Sequence, residues 1–170
     1  MNEELPNKPN HPKLVVGIFS FTCCEGCSIL FTEVLNDYFD KWKPIIEFRH
    51  VKALKTKNRL EDLDVAIVEG AISSGKQAEE LKQIRENAKY LVAMGACAVN
   101  GMPSASRNTF TEDKINDRIK WYYQTFDYGA KVKKLEEVVT VDAKVNGCPM
   151  DANALLIALN HYLQEFGIIK

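Results

Sequence analysis

Three cysteines fall within five residues of this chain, in the stretch FTCCEGCSIL. Cys24 and Cys27 form a C-x-x-C pair, and Cys23 directly precedes the pair. The two remaining cysteines, Cys97 and Cys148, lie far along the chain. Thiolates are preferred ligands of zinc and of iron–sulfur clusters, and four of them complete either kind of site. Such chemistry requires a fold that brings the distant cysteines to one point.

Short apolar segments alternate with amphipathic ones, which predicts a parallel sheet covered by helices on both faces. The predicted strands are residues 14–21, 45–51, 64–70, 90–96 and 137–142. The predicted helices are residues 28–42, 75–88 and 152–166, with a short polar helix or loop at 112–126. Asp151 is the expected N-cap of the last helix. With right-handed crossovers, the expected architecture is an α/β, flavodoxin-like doubly wound parallel sheet.

The cysteines fall where such a sheet would hold a ligand. Cys24 and Cys27 follow the first predicted strand, and Cys97 follows the fourth. Cys148 lies between the last strand and the last helix. The carboxyl ends of parallel strands share one edge, and α/β sheets bind ligands there. We therefore expect these four cysteines to meet at a cluster-binding edge of the sheet.

A glycine stands within two residues of each group of these cysteines. The three are Gly26, Gly95 and Gly147. Glycine lets the backbone approach a bulky inorganic group and offers N–H groups to its sulfurs. Taken one at a time, a cysteine is most often a small buried apolar residue. A C-x-x-C pair at a strand-to-helix turn is also typical of dithiol oxidoreductases, so a metal site and a redox pair both remain open.

The composition excludes several other classes of function. The net charge of −1 gives no electrostatic footprint for nucleic acid or an anionic membrane. No apolar stretch approaches the roughly 20 residues of a membrane span. Residues 1–12 are polar and contain proline, which predicts a flexible tail rather than a signal peptide. Residues 13–170 then form one domain, and we expect a cytoplasmic protein, in which disulfides are uncommon.

The segment GAISSGKQ at residues 70–77 matches the phosphate-binding pattern G-x-x-x-x-G-K between a strand and a helix. However, Gln77 stands where a Ser or Thr would hold Mg²⁺, and no convincing Walker-B carboxylate ends another strand. We therefore expect a structural turn in which Ser73 or Ser74 caps the helix and Lys76 is solvated.

Four motifs occur in order: C-E-G-C at 24–27, E-G-A at 69–71, G-A-C-A-x-x-G-x-P at 95–103 and G-C-P at 147–149. Together they resemble the small subunit of [NiFe] hydrogenases and the related 20 kDa subunit of NADH–quinone oxidoreductase. Each motif is weak alone, and the four in register are specific. The resemblance covers the chain from about residue 13 to its end.

The resemblance implies a flavodoxin-like iron–sulfur domain that holds one proximal [4Fe–4S] cluster through Cys24, Cys27, Cys97 and Cys148. It implies that further residues line the cluster or the large-subunit interface, namely Glu69, Gly70, Gly26, Gly95, Gly147, Met102 and Pro103. The chain would be an electron-transfer subunit of a multi-subunit cytoplasmic hydrogenase. It would connect a separate [NiFe] large subunit to further iron–sulfur or flavin subunits.

Two features depart from the common pattern of this family. The chain ends at Lys170 without a cysteine-rich extension, which resembles the short small subunits of cytoplasmic hydrogenases. The tandem Cys23–Cys24 is typical of the quinone-reductase relatives, which lack the C-x-x-C pair. Because this chain has the pair, the hydrogenase role is favoured, and Cys23 is expected to point away from the cluster. A quinone-reductase-like or ion-pumping subunit and a four-cysteine zinc module stay as alternatives.

Other residue types give weaker signals. The three histidines have no ligand spacing, so surface or packing roles are expected for His11, His50 and His161. Arg107 lies in the long irregular stretch of residues 97–147, which is expected to be functional, and either contacts a partner or is exposed. Several aromatic side chains suit either a partner interface or the core: Trp42, Trp121, Tyr122 and Tyr123.

Overall fold

A computed structural model describes residues 12–170, so all but the last residue of the predicted tail, including His11, lies outside the described residues. The strands are β1 (Leu14–Ser20), β2 (Ile46–Val51), β3 (Leu63–Glu69), β4 (Ala88–Met94) and β5 (Ala143–Val145). The helices are α1 (Gly26–Trp42), α2 (Gly75–Glu86), α3 (Gly95–Asn100), α4 (Asp117–Thr125) and α5 (Ala152–Glu165). Short 3-10 turns cover Ser104–Thr109, Glu112–Lys114 and Leu135–Glu137.

The strands form one parallel sheet in the order β2-β1-β3-β4-β5. This order is that of a flavodoxin-like sheet, in which the chain moves outward from β1 in both directions. The predicted doubly wound α/β fold is therefore confirmed. The carboxyl ends of all five strands lie at one edge, termed the carboxyl edge from here on.

The alternation of side chains along β1 shows how the two faces are buried. Leu14, Val16 and Ile18 pack in the cluster that includes residues of α1 and α5. Val15 and Phe19 pack on the opposite face with residues of α2. Side chains of a strand point alternately to opposite faces, so a strand buried on both faces reads as a continuous apolar run.

The helix ends are fixed by side-chain caps where the sequence predicts them. The Asp151 carboxylate accepts a hydrogen bond from the Ala154 amide at 2.8 Å, which confirms this N-cap. Of the two candidate serines before α2, Ser74 is the N-cap, and its hydroxyl accepts from the Gln77 amide at 3.2 Å.

The last strand is the main error of the sequence prediction. The pattern predicts a strand at residues 137–142, but β5 is Ala143–Val145 and pairs with β4 from Val92 onward. The valines of the predicted strand instead pack beside the sheet from irregular backbone. Asp142 ends this segment by exchanging hydrogen bonds with Leu91, its carboxylate accepting from the Leu91 amide at 2.7 Å.

The predicted histidine roles can be compared with the structure for two residues. His50 is buried on β2 and stacks on Phe19, with ring centroids 4.3 Å apart. His161 is exposed on α5, and its Nε2 lies 3.5 Å from a Glu165 oxygen. Within residues 12–170, no helix is long and apolar enough to cross a bilayer.

Candidate metal-cluster site

The C-x-x-C pair lies at the junction between β1 and α1. Cys24 is exposed in the connecting loop, whereas Cys27 is buried in the first turn of α1. Glu25 occupies the N-cap position with φ of 63°, in the left-handed region, and its side chain makes no capping bond. Its carboxylate instead accepts a hydrogen bond from the Ser20 hydroxyl at 2.5 Å. The start of α1 therefore lacks a cap from its own N-cap residue.

Glu69, the last residue of β3, caps α1 from a neighbouring strand. Its Oε1 accepts from the Cys27 amide at 3.1 Å, and its Oε2 accepts from the Ser28 amide at 2.8 Å. The Ser28 hydroxyl donates to the same Oε2 at 2.5 Å. Glu69 is only 1% exposed, so this carboxylate is fully enclosed at the carboxyl edge. Carboxylates near a helix N-terminus are stabilised by the unpaired amides and the helix dipole.

All four candidate ligands line one small cavity at the carboxyl edge, with a volume of about 140 Å³. The lining residues are Cys24, Gly26, Cys27, Glu69, Met94, Gly95, Ala96, Cys97, Gly147, Cys148 and Pro149. The lining contains both buried thiols (Cys27 and Cys97) and exposed ones (Cys24 and Cys148). The structure therefore brings together the four cysteines that the sequence pattern groups.

Two glycines leave room for this cavity. Gly95 has φ of +84°, and a Cβ added there would lie 2.5 Å from the Cys27 Sγ. Gly147 has φ of +118°, and a Cβ there would lie 2.5 Å from the Pro149 carbonyl oxygen. The Ala96 amide donates to the Gly147 carbonyl at 2.7 Å and joins the two turns. Side chains at these glycines would both strain the backbone and fill the cradle.

Cys97 lies in α3, a short helix that the sequence pattern does not predict. The Ser104 hydroxyl lies 3.2 Å from the Cys97 Sγ and 3.0 Å from the Thr22 carbonyl oxygen. Ser104 therefore connects a candidate ligand to the segment before the C-x-x-C pair. No motif marks Ser104, Ser28 or Ala96, so their contacts could be found only from the fold.

Cys23 does not belong to the lining of the four-cysteine cavity. Its Sγ accepts from the Glu25 amide at 3.4 Å and lies 3.5 Å from the Ser20 Oγ. The ligand atoms of Cys23, Glu25 and Glu69 all lie within 4.8 Å of one another. Cys23 is thus a neighbour of the site, and its predicted role as a packing thiol stays a prediction.

Two thiols of this region have raised pKa values. Burial raises the pKa of the Cys27 thiol to about 12, and the nearby Glu69 carboxylate acts in the same direction, whereas a backbone hydrogen bond at Met150 acts against it. Burial also raises the pKa of the Cys23 thiol to about 12. Dithiol oxidoreductases depend on a lowered thiol pKa, so this environment disfavours a thioredoxin-like role for Cys24 and Cys27.

Three residues that the resemblance placed near the cluster are not part of the cavity lining: Gly70, Met102 and Pro103. Gly70 has φ of +93°, and a Cβ there would lie 2.9 Å from the Phe21 carbonyl carbon. Its role visible in the structure is the close approach of two backbone segments. Met102 is exposed, and its predicted role at a subunit interface stays a prediction.

The phosphate-loop lookalike is closed by the side chain of Gln77. Its Oε1 accepts from the Ser73 amide at 2.7 Å and from the Ser73 hydroxyl at 3.0 Å. The Thr22 hydroxyl lies within 3.2 Å of the same side chain. The Ser73 amide, which a phosphate would need, is therefore engaged within the chain, in agreement with the predicted structural turn.

An aromatic panel lies on and after α4. It consists of Trp121, Tyr122, Tyr123, Phe126 and Tyr128, whose rings contact one another. The Arg107 guanidinium lies over two of these rings, 4.9 and 5.3 Å from their centroids, and donates to the Gly129 carbonyl at 3.0 Å. None of the residues of α4 is buried. By contrast, Trp42 is buried in the core.

The sheet order and the four-cysteine cavity together define a flavodoxin-like domain with a site suited to a thiolate-bound metal group. The chain belongs to the family described as NADH ubiquinone oxidoreductase, 20 Kd subunit, whose model matches residues 24–162. This match spans every strand of the sheet except β1, and it includes all four cysteines of the cavity.

Curated relatives are hydrogenase subunits. The chain is 28% identical to NAD-reducing hydrogenase HoxS subunit delta of Cupriavidus necator, over 94% of this chain and 87% of that protein. It is also 28% identical to sulfhydrogenase 2 subunit delta of Pyrococcus furiosus, over 80% of this chain and 56% of that protein. One component of the F420-non-reducing hydrogenase of Methanothermobacter thermautotrophicus is 28% identical, over 81% of this chain and 49% of that protein. The chain spans about half the length of the latter two relatives.

A solved structure supports the fold. A chain in the crystal structure of an NAD⁺-reducing [NiFe]-hydrogenase in the H₂-reduced state superposes with a TM-score of 0.74. The alignment covers 93% of this chain and 95% of that chain at 23% identity. At this level of identity, the match establishes the shared architecture.

Proposed function

We propose that this chain is the electron-transfer subunit of a cytoplasmic [NiFe] hydrogenase and carries one [4Fe–4S] cluster. The observation that carries the proposal is the cavity lined by Cys24, Cys27, Cys97 and Cys148. Four thiolates are the usual ligands of such a cluster. The donor set and the two glycines that keep the cradle open both fit this group.

The bound cluster would supply one-electron redox chemistry. The chain's own residues would hold it and control its surroundings. Cys27 and Cys97 are buried and would anchor its inner side, while Cys24 and Cys148 are exposed and would hold its outer side. Met94 lines the same cavity and would limit access of water. Burial and hydrogen bonding of this kind tune the potential of a cluster.

The exposed side of the cavity supports a large-subunit partner. Cys24, Cys148 and Pro149 are exposed at the carboxyl edge, so a partner must cover them to exclude water from the cluster. The [NiFe] centre would belong to that large subunit. Electrons would then pass to further iron–sulfur or flavin subunits, with no role for nucleic acid or a membrane span in this chain.

The aromatic panel supports a second area of contact. Trp121 and Phe126 are each 55% exposed, although apolar side chains of this size normally lie in a core or an interface. Tyr, Trp and Arg are enriched at the centres of protein interfaces, and the panel together with Arg107 combines all three. We propose that the panel contacts another subunit of the same complex.

Hydrogen-dependent reduction of the copurified complex tests this function. The complex is purified without oxygen through a tag on this chain, and the reduction of its clusters is followed spectroscopically under H₂. We expect reduction by H₂ in the complex and none in the isolated chain, which lacks the [NiFe] subunit. Reduction by NADH with no response to H₂ would instead support a subunit of the quinone-reductase type.

The tandem Cys23–Cys24 is the observation that favours this second function. A quinone-reductase-type cluster would use Cys23 and leave Cys27 spare. The cavity supports the hydrogenase-type set, because Cys27 lines it and Cys23 does not. Zinc bound by the same four cysteines is the remaining alternative, and metal analysis separates it from a cluster.

A further inference from the structure

The first turn of α1 is held by a residue that lies 41 and 42 positions away in the sequence. An α-helix begins with amide groups that have no partner within the helix, and the N-cap side chain normally satisfies one of them. Glu25 occupies that position, but its carboxylate accepts from Ser20 instead. Glu69 supplies the missing acceptors for the Cys27 and Ser28 amides. The position of Cys27 therefore depends on β3.

The same carboxylate lines the four-cysteine cavity. Its two oxygens accept three hydrogen bonds from the backbone and side chain of the C-x-x-C turn and the residue after it. These contacts leave the Cys27 amide engaged with Glu69. Backbone amides that point at cluster sulfurs raise the potential of a cluster, and here one such amide is directed to a carboxylate.

We infer that Glu69 is the positioning residue of the cluster site: it caps α1 from β3, fixes Cys27 at the cavity and lowers the reduction potential of the cluster. This inference rests on the proposed function. A buried carboxylate disfavours the addition of a negative charge nearby, and reduction of the cluster by one electron adds such a charge. The effect is strong at a site that is closed to water.

The strand itself offers a matched control. Asp64, near the opposite end of β3, is also 1% exposed, and its carboxylate accepts from the Val15 amide at 2.9 Å. Asp64 and Glu69 are thus two buried carboxylates on one strand, and only Glu69 reaches the cavity. A loss of stability alone would appear in variants of both residues, whereas a change of the cluster's potential would be specific to Glu69.

The test compares wild type with Glu69→Gln, Glu69→Ala, Ser28→Ala and Asp64→Asn, each purified and reconstituted without oxygen. Iron content, thermal unfolding and the midpoint potential are measured for each, the last by titration with dithionite in the presence of redox mediators. Glu69→Gln retains one acceptor oxygen but removes the negative charge and one acceptor. We expect it to keep its cluster, with a midpoint potential above that of wild type.

The other variants give graded results. Glu69→Ala removes the whole cap, and we expect it to lose most of its iron. Ser28→Ala leaves the carboxylate in place, so its potential should move less than that of Glu69→Gln. Asp64→Asn should unfold at a lower temperature with an unchanged potential and electron paramagnetic resonance spectrum.

The outcomes separate this inference from the function on which it rests. A loaded Glu69→Gln variant with the potential of wild type, or an equal shift in Asp64→Asn, would overturn the role of Glu69 and leave the proposed function intact. An iron-free wild-type chain after reconstitution would overturn the proposed function and this inference together.

Discussion

The two ends of β3 carry the same chemical group in different settings. At the amino end, Asp64 accepts from the Val15 amide and pairs with the Lys89 ammonium at 3.0 Å, so strands are tied directly to strands. At the carboxyl end, Glu69 accepts from the first turn of α1 and borders a cavity lined by thiols. One buried carboxylate thus closes the sheet, while the other supports an open site. The carboxyl edge trades close packing for space, and this difference marks where function lies.

The largest expected effect comes from removing a thiol of the carboxyl edge. Cys97→Ser and Cys148→Ser should each lose nearly all the iron after anaerobic reconstitution, because serine is a poor ligand for an iron–sulfur cluster. Iron and acid-labile sulfide analysis measures this directly. Cys23→Ser is the matched control, because Cys23 is a neighbouring thiol outside the cavity, and it should retain its iron. If Cys23→Ser lost iron while Cys27→Ser kept it, the ligand set would be the one with tandem cysteines.

A methyl group added to the cradle should have the next largest effect. In Gly95→Ala, the new Cβ would lie 2.5 Å from the Cys27 Sγ on a backbone with φ of +84°. We expect a loss of stability of roughly 1–3 kcal/mol from backbone strain, and a marked loss of iron.

Gly167→Ala separates the strain from the space. Gly167 has φ of +66°, and a Cβ there would meet nothing within 4 Å. This control should lose about 1 kcal/mol and keep its full iron content. Chemical unfolding and iron analysis of both variants compare them, and equal iron in the two would show that the cradle is not the cluster site.

The amino edge should respond only in stability. Asp64→Ala removes the acceptor of the buried Val15 amide and leaves it unsatisfied, which costs about 1–3 kcal/mol. Iron per folded chain should not change, because Asp64 does not line the cavity. Denaturant unfolding together with metal analysis checks this, and a lost cluster in this variant would erase the contrast between the two edges.

The smallest effect concerns pH and His50, which lies on β2 away from both carboxylates. Burial lowers the pKa of His50, with the positive charge of Lys52 acting in the same direction. Below about pH 6.5 the unfolded chain takes up a proton at this ring that the folded chain resists, so stability falls as the pH falls. His50→Leu should flatten this dependence of the unfolding free energy between about pH 5 and 7.

His161 provides the comparison for that measurement. It is exposed on α5, and the structure gives no buried environment for its ring. His161→Gln should leave the slope of stability against pH close to that of wild type. If this variant flattened the curve and His50→Leu did not, the burial of His50 would not be the cause.

Much of the fold could be predicted because its strands are buried on both faces. The apolar runs of β1, β3 and β4 indicate their positions within two residues, and the helices between them imply parallel pairing. The grouping of the cysteines follows from this topology alone, since carboxyl ends of parallel strands share an edge. The family resemblance then assigns a cluster to that edge.

The remaining errors come from local contacts that the pattern does not encode. The valines before β5 look like a strand, but their packing is made from irregular backbone that ends at Asp142. The role of Glu69 as a cap depends on where β3 ends relative to α1, and spacing in the sequence carries no such information. The departure of Gly70 from the cavity has the same origin, because this glycine serves the crossing of two backbone segments.

Metal and sulfide analysis of the wild-type chain, purified and reconstituted without oxygen, tests the central claim most directly. The account predicts about four iron atoms and about four acid-labile sulfides per chain, with an electron paramagnetic resonance signal that appears on one-electron reduction. A colourless protein that binds one zinc ion per chain and no iron would contradict it.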